Sequence, residues 1–435
     1  MRSALLRDLQ ARELVVDMTG QDELDRHLAE GPRVVYCGFD PTADSLHVGS
    51  LLPLLALRRF QLAGHRPIVL IGGGTGLIGD PSGKAGERPL SAKDQVAAWA
   101  ERLKRQTARF LDFGEGASRA ELVDNYEWLS RLDVISFLRD VGKEFPVGAM
   151  LARESVRARL GRAEAGLSYT EFSYQILQAY DYLELWRSRG CTIQIGGSDQ
   201  WGNITAGIEL IRRKAGGTAY GLTLPLVTKG DGTKFGKTET GTIWLDPAKT
   251  SAYEMYQFWL NTADAEVGRF LRYFTFLPPE RIADLEGEVR QAPEKRGAQR
   301  ALAREVTGLV HGAADVREAE AISDKLFSGD VKSLTLEQAA QACQAMTHME
   351  MTLGAGKPLT DVLTATGLAE SKKRARELVA AGAIQVNGEP ETRVDAMVSR
   401  ARALHGKYLI LRKGKKTYHA VVVREPSGLA SSRKA

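Results

Sequence analysis

Apolar positions along the chain follow two alternating rhythms. Val34-Val35-Tyr36-Cys37-Gly38-Phe39 is a short continuous apolar run of strand character, and residues 66–71 (Arg-Pro-Ile-Val-Leu-Ile) are a second. Between them, residues 51–63 repeat with helical spacing, Pro53 sitting in the first turn and Gly64 just past the end. Strand, helix and strand in that order predict a βαβ unit opening a parallel sheet. The first thirty residues, with Leu5, Leu6, Leu9, Leu14 and Val15, predict a leading helical segment. Further on, Ser91-Ala92-Lys93-Asp94 resembles a capping box before a helix that aligns Val96, Trp99, Leu103 and Phe110. Helices over 170–186 and 203–214 then alternate with strands over 191–195 and 222–227. The expected first domain, residues 1–245, is therefore α/β with a Rossmann-like parallel sheet.

From 246 to 326 the pattern is helical throughout and predicts an all-α domain. Residues 327–355 read as a linker, with Gly354-Ala355-Gly356 as its flexible joint. Residues 356–425 predict a small α+β module: two short helices, a hairpin at Asn387-Gly388, and strands over 407–411 and 419–423. Residues 426–435 read as a flexible tail.

Composition narrows the class. Hydrophobic residues are 43% of the 435 and charged residues 26%, which argues against wholesale disorder. The three cysteines (Cys37, Cys191, Cys343) are far apart, so neither a disulfide scaffold nor a cysteine-rich metal site is expected, and a cytoplasmic setting fits best. No run of 18 apolar residues occurs, so no membrane span is expected, and the N-terminus lacks a signal-peptide pattern. The net charge of +5 is uneven: residues 355–435 carry 16 Lys and Arg against 7 Asp and Glu. A basic end on a mildly acidic body points to a polyanionic partner, with nucleic acid the leading candidate.

Candidate chemistry begins with Gly74-Thr75-Gly76-Leu77-Ile78-Gly79, a G-x-G-x-x-G match directly after a strand. Asp80-Pro81 interrupts the helix that should follow, and no second strand ends in an acid about 20 residues on, so a dinucleotide site is not expected. More telling is His47-Val48-Gly49-Ser50, at the start of the first βαβ helix, where backbone N–H groups and the helix dipole favour phosphate. Thr42 and His47 add donors. Lys234-Phe235-Gly236-Lys237-Thr238, after the last strand of the domain, puts two lysines three apart on a glycine-bearing loop. On the helix over 170–186, Tyr174, Gln178 and Asp181 share one face at i, i+4 and i+7, either as a solvated stripe or as a polar pocket wall.

Taken together, these motifs resemble the bacterial-type tyrosyl-tRNA synthetases, a family of class I aminoacyl-tRNA synthetases. His47-Val48-Gly49-Ser50 resembles the HIGH signature and Lys234 to Thr238 the KMSKS signature in its KFGKT form. Tyr36 to Thr42, Gly76 to Lys84, and Gly196-Gly197-Ser198-Asp199-Gln200-Trp201-Gly202-Asn203 surround them in the family's order. The final module resembles an S4-like RNA-binding domain. Ser50 departs from the usual His or Asn at the fourth HIGH position; its hydroxyl has a shorter reach toward a ribose.

The resemblance implies a ligase that activates L-tyrosine with ATP, accompanied by Mg²⁺, and transfers the tyrosyl group to tRNA(Tyr). Tyr36 and Asp181 would bond the substrate phenol; Tyr174, Gln178 and Asp80 its ammonium group; Gln194 lies close by and Gln200 orients the carboxylate. Cys37, Gly38, Asp40, Gly49, Ser50 and Asp199 would surround ATP and the adenylate. Thr42, His47, Lys84, Arg88, Lys234, Lys237 and Thr238 would hold the departing pyrophosphate. Lys372, Lys373, Arg374, Arg376, Arg412, Lys413, Lys415 and Lys416 would face RNA. The family also implies a homodimer, no bound metal ligands on the protein, and no editing domain. A hydroxyl-bonding pocket rejects phenylalanine unaided, because its buried groups are left unpaired; this family is itself the standing case.

Overall fold

A computed structural model describes residues 1–82, 91–152, 156–157, 167–228, 235–238 (backbone only at 237 and 238), 241–414 and 417–424. They form two compact units: residues 1–236, 244–246 and 264–291 in one, and 237–243, 247–263 and 292–435 in the other.

The first unit is built on a parallel five-stranded sheet. Its chain runs α1 (Ala4–Ala11), α2 (Gln21–Ala29), β1 (Val34–Phe39), α3 (Val48–Leu62), β2 (Arg66–Ile71), α4 (Lys93–Thr107) and β3 (Glu121–Asp124). Three short helices follow, α5 (Tyr126–Leu129), α6 (Val134–Asp140) and α7 (Val147–Leu151). Then come α8 (Tyr169–Arg189), β4 (Cys191–Gly197), α9 (Trp201–Ala215) and β5 (Tyr220–Leu224). The strand order is β3-β2-β1-β4-β5, every neighbouring pair parallel. This is the doubly wound arrangement, and the order reverses between β1 and β4, where such sheets open a ligand crevice at the strands' carboxyl ends. Burial on both faces explains the continuous apolar runs: Val35, Ile68, Val69, Ile71, Ile193 and Ile195 are all enclosed.

Local chemistry sets three boundaries differently from the pattern. β5 stops at Leu224 because Pro225 has no N–H for a ladder bond, so residues 225–227 are free to line a cavity. α4 is capped at Ala92 with no side-chain bond, so Ser91 is not its cap. Helices Asp264–Phe274 and Pro279–Gln291 belong to the first unit rather than to a single helical region over 246–326. Two buried arginines account for this: Arg59 donates to the Thr275 carbonyl at 2.5 Å and Arg12 to that of Leu277 at 2.8 Å, with Asp8 beside both. Buried guanidinium groups need such acceptors.

In the second unit, helices Ala252–Leu260, Gly297–His311, Ala313–Ser328 and Leu336–Ala345 pack on one another, and Leu336–Ala345 also packs against a second five-stranded sheet. Short β6 (Lys237–Thr238) pairs with β7 (Gly241–Thr242). The sheet strands are β8 (His348–Thr352), β10 (Ile384–Val386), β11 (Glu389–Pro390), β13 (Tyr408–Lys413) and β14 (Thr417–Arg424), in the order β11-β10-β13-β14-β8. β9 (Lys357–Pro358) and β12 (Met397–Val398) form a separate pair. Asn387 and Gly388 both take positive φ (51° and 85°), the turn that joins β10 to β11 with matching twist. The segment expected as a linker carries regular structure: Thr335 and Gln338 close a capping box on helix Leu336–Ala345, and β8 pairs in parallel with β14. Burial of Leu334, Ala339, Ala342, Cys343, Met351 and Leu353 holds it there. No described helix is long and apolar enough to cross a membrane.

Candidate active site

A cavity of about 380 Å³ opens at the carboxyl ends of β1 and β4, within the ordinary size range of a small-molecule site. Fifteen of the residues expected around tyrosine and ATP line it: Tyr36, Cys37, Gly38, Asp40, Thr42, His47, Gly49, Ser50, Asp80, Tyr174, Gln178, Asp181, Gln194, Asp199 and Gln200. The stripe on α8 is therefore a pocket wall, not a solvated face.

One end of the cavity is closed by Tyr36 and Asp181, 1% and 2% exposed. Asp181 accepts bonds from Asn125 Nδ2 (2.9 Å) and Trp128 Nε1 (2.7 Å). Burial pushes its carboxyl up to about 8, those two bonds opposing the shift. Burial also raises the Tyr36 phenol well above its ordinary value, with the Asp181 charge adding to the effect. The Tyr36 hydroxyl and the Gln194 Oε1 are buried without a hydrogen-bond partner among the described residues. Such groups are costly unless something pairs them, and a phenol entering this end has a hydroxyl to offer.

The middle is a ring of polar side chains. Gln200 Nε2 donates to Asp80 Oδ2 at 2.7 Å, and Asn203 Nδ2 donates to both Gln178 Oε1 and Gln200 Oε1 at 3.1 Å. Tyr174 donates its hydroxyl to Asp40 Oδ2 at 2.8 Å. This arrangement leaves acceptor-rich groups facing the cavity, suited to an ammonium.

At the far end His47 is the N-cap of α3, its Nδ1 accepting from the Gly49 N–H at 2.9 Å. An accepting Nδ1 leaves the ring proton on Nε2, so the imidazole is a donor at the helix start, where the dipole favours anions. Gly49 serves this geometry directly: a Cβ there would stand 2.6 Å from His47 Cε1. Gly72 plays the same part for Asp40, since a Cβ would lie 2.0 Å from its Oδ1. The glycine-rich turn thus admits Asp40 and Thr75 rather than a pyrophosphate. Cys37 is buried, its thiol pushed up to about 12, and serves as wall rather than nucleophile.

Lys84, Arg88 and Lys234 lie outside the described residues, and at Lys237 and Thr238 only the backbone, in β6, is described. Within the first unit Phe235 stacks on Phe274 (5.6 Å between centroids, 8°). Among the described residues no cluster of His, Cys, Asp or Glu is arranged to hold a metal ion.

Three residues of the site escaped the sequence pattern: Thr75, which lines the cavity, and Asn125 and Trp128, which hold Asp181 from behind it. Asn125 follows β3, a strand whose Glu121-Leu122-Val123-Asp124 gives too brief an apolar run to register. An Asp-Asn pair ending a parallel strand is nevertheless where an α/β crevice is built.

In the second unit Lys372, Lys373, Arg374 and Arg376 are all exposed on helix Lys372–Ala380. Lys372 pairs with Asp361 and Arg374 with Glu377, each at 2.9 Å. Arg412 and Lys413 end β13, Lys413 donating to the Leu368 carbonyl; Lys415 and Lys416 lie outside the described residues.

The family model for class I tRNA synthetases (W and Y) matches residues 28–328, and that for the tyrosine–tRNA ligase SYY-like C-terminal domain matches 338–421. Tyrosine–tRNA ligases of Geobacillus kaustophilus and Bacillus caldotenax are each 55% identical over 421 residues, 96% of this chain and 99% of theirs. The crystal structure of a C-terminally truncated Aspergillus nidulans mitochondrial tyrosyl-tRNA synthetase covers 75% of this chain and 95% of its own, with 32% identity and a TM-score of 0.68. The chain belongs to the tyrosine–tRNA ligases of the class I tRNA synthetases.

Proposed function

We propose that this cavity joins L-tyrosine to ATP and hands the tyrosyl group to tRNA(Tyr), with its two ends dividing the work. A carboxylate oxygen of tyrosine attacks the α-phosphorus of ATP in line. The bond from that phosphorus to the bridging oxygen of the β-phosphate breaks, and pyrophosphate leaves. The attacking carboxylate is already ionised at neutral pH, so no general base is needed. The rate then depends on positioning and on charge stabilisation in the transition state. A terminal ribose hydroxyl of the tRNA next attacks the carbonyl carbon of the adenylate, and AMP leaves.

Tyr36 and Asp181 take the phenol. Asp80, Tyr174 and Gln178 take the ammonium group, with Gln194 beside them, and Gln200 turns the carboxylate toward the nucleotide. Cys37, Gly38, Asp40, Gly49, Ser50 and Asp199 surround the nucleoside and α-phosphate. Thr42 and His47, with Lys84, Arg88, Lys234, Lys237 and Thr238, bind the pyrophosphate most strongly as its charge grows. Mg²⁺ enters with ATP as part of the substrate. The observation that carries this reading is the Tyr36 hydroxyl, buried without a partner beside Asp181 in the cavity whose other end is the His47-capped helix. Tyrosine-dependent exchange of labelled pyrophosphate into ATP tests it, and no exchange with any of the twenty amino acids would overturn it.

The chain acts as a homodimer in this reading. Val134, Ile135 and Leu138 on α6 and Val147 and Leu151 on α7 are exposed apolar side chains on neighbouring helices. A second copy covers them, and the mass in solution tests that. The lysines and arginines of the second unit grip RNA through its phosphates.

A further inference from the structure

We infer that Phe235 is a positioning residue for adenylate formation, its ring docking the segment that carries Lys234 and Lys237 onto helix Asp264–Phe274. The inference rests on the reaction proposed above and deepens it, because it names what keeps those two lysines in register with His47. Phe235 itself is not among the residues that line the cavity.

The dock is a cluster of three rings. Phe270 and Phe274, four residues apart on one face of the helix, are 3% and 0% exposed, with centroids 5.9 Å apart. Phe235 lies nearly parallel to Phe274 and edge-on to Phe270, at 5.3 Å and 65° from the latter. Both are arrangements that aromatic pairs favour, so the ring has a defined seat. Thr228, at the other end of the segment, gives its carbonyl to Arg269 of the same helix at 3.2 Å. The Arg269 guanidinium in turn lies over the Phe270 ring at 5.1 Å. One helix therefore holds Thr228 and Phe235 alike.

The same helix is braced against α3, which begins directly after His47. Arg59 of α3 bonds the Thr275 carbonyl at the helix's end and carries its guanidinium over the Phe276 ring at 4.6 Å. Gly236, next to the docked ring, meets the other end of α3: its φ is 79°, and a Cβ there would stand 2.7 Å from Val48 Cγ2. Further along, Leu245 donates its N–H to the Leu46 carbonyl at 2.8 Å, and the Trp244 ring lies edge-on to the His47 imidazole. The chain is thus tied to the start of α3 at Gly236 and again at Trp244 and Leu245. Donors that stabilise charge developing in a transition state must be in place beforehand. A lysine ammonium rides on a flexible four-carbon stem, so its backbone has to supply the fixed point. Phe235 and Gly236 are that point, lying between Lys234 and Lys237 in sequence.

The test is made on the full chain with Phe235→Ala, Phe235→Tyr, Lys234→Ala and the Phe235→Ala, Lys234→Ala pair. Single-turnover formation of the adenylate at saturating tyrosine and ATP slows roughly 10- to 100-fold in Phe235→Ala, the cost of about 1 Å of misplacement. Tyrosine affinity in equilibrium dialysis stays at the native value. Phe235→Tyr keeps the ring and recovers most of the rate. In the Lys234→Ala background Phe235→Ala costs clearly less than it does in the native chain, as it must if one residue acts through the other. A native rate in Phe235→Ala overturns the inference, as does a loss that multiplies in full with that of Lys234→Ala. Equal weakening of tyrosine binding overturns it too, because the ring would then serve the fold alone. Absence of tyrosine-dependent exchange in the native chain would overturn the proposed reaction and this inference with it, whereas native exchange beside an unaffected Phe235→Ala overturns the inference alone.

Discussion

Asp40, in the polar middle of the cavity, and Asp181, at its closed end, are joined by an unbroken hydrogen-bonded chain. Thr75 Oγ1 donates to Asp40 Oδ1 at 2.8 Å, and Asn125 Nδ2 donates both to Thr75 Oγ1 and to Asp181 Oδ2 at 2.9 Å. Asn125 also takes the Gly74 N–H on its Oδ1 at 2.8 Å, so a single fully buried amide ties the glycine turn, β3 and α8 together. Satisfied buried networks of this kind fix side-chain positions as well as adding stability.

Removing that amide should therefore be felt at the phenol end. Asn125→Ala leaves Asp181 and Thr75 each one donor short, a loss of about 1–3 kcal/mol. Tyrosine affinity, measured by equilibrium dialysis, should fall roughly 5- to 150-fold, with a smaller change for ATP. Equal weakening of both substrates would show that the amide serves the fold alone.

Tyr36→Phe is expected to separate recognition from stability. The hydroxyl it removes is buried and unpartnered, so the variant should unfold at a denaturant midpoint no lower than the native chain. Discrimination between tyrosine and phenylalanine in pyrophosphate exchange should drop by about tenfold, one hydrogen bond's worth. A variant that unfolds earlier with its selectivity intact would mean the hydroxyl has a structural partner.

The Asp181 carboxyl also makes stability depend on pH. Its ordinary value is 3.8 and burial raises it to about 8, so between those values the folded chain binds a proton that the unfolded chain does not. Stability from this group is therefore lost as pH rises from about 4 to about 8. Asp181→Asn removes the titration, so its midpoint in urea, relative to the native chain, should climb steadily from pH 5.5 to 8.5. Parallel curves for the two proteins would place the carboxyl's titration outside that interval.

Much of this architecture was legible because burial on both faces leaves its mark. β1 and β2 carry continuous apolar runs, β4 places Cys191, Ile193 and Ile195 at alternate positions, and the α8 stripe of Tyr174, Gln178 and Asp181 keeps helical spacing into the cavity wall. What the pattern hid was short or edge-placed. β3 offers two apolar residues between acids, and β8, His-Met-Glu-Met-Thr, is an edge strand whose alternation is too polar to stand out. With β3 went Asn125 and Trp128, the donors that hold Asp181. Their roles depend on contacts 53 to 56 residues apart in sequence, which no local period records.

The cysteines give a simple check on the packing. Cys37, Cys191 and Cys343 are all buried, each thiol pushed up to about 12 by desolvation. Thiolates are the reactive form, so none should react with a disulfide reagent in the folded chain at pH 8. Titration should find three thiols only after denaturant is added. Any stoichiometric labelling of the native protein would contradict the packing of β1, β4 or helix Leu336–Ala345.

The place to divide the chain follows from β8 rather than from the glycines after it. β8 pairs with β14 from His348–Ala420 to Thr352–Arg424, and Met351 and Leu353 are buried in the apolar core of the C-terminal sheet. A chain ending at Gly354 would keep β8 but lose that core, exposing an unpaired edge beside two bare hydrophobic side chains. A chain ending at Met346 removes the strand with its partners. The shorter protein should therefore remain monodisperse in light scattering while the longer one aggregates. Both retain every residue that lines the cavity, so soluble material should exchange pyrophosphate within about threefold of the full chain. Charging of tRNA should fall by about an order of magnitude or more at physiological salt, with a shallower dependence on ionic strength, since lysine and arginine contacts to phosphates are what is lost. A protein ending at Met346 that charges tRNA at full efficiency would remove RNA binding from the C-terminal sheet.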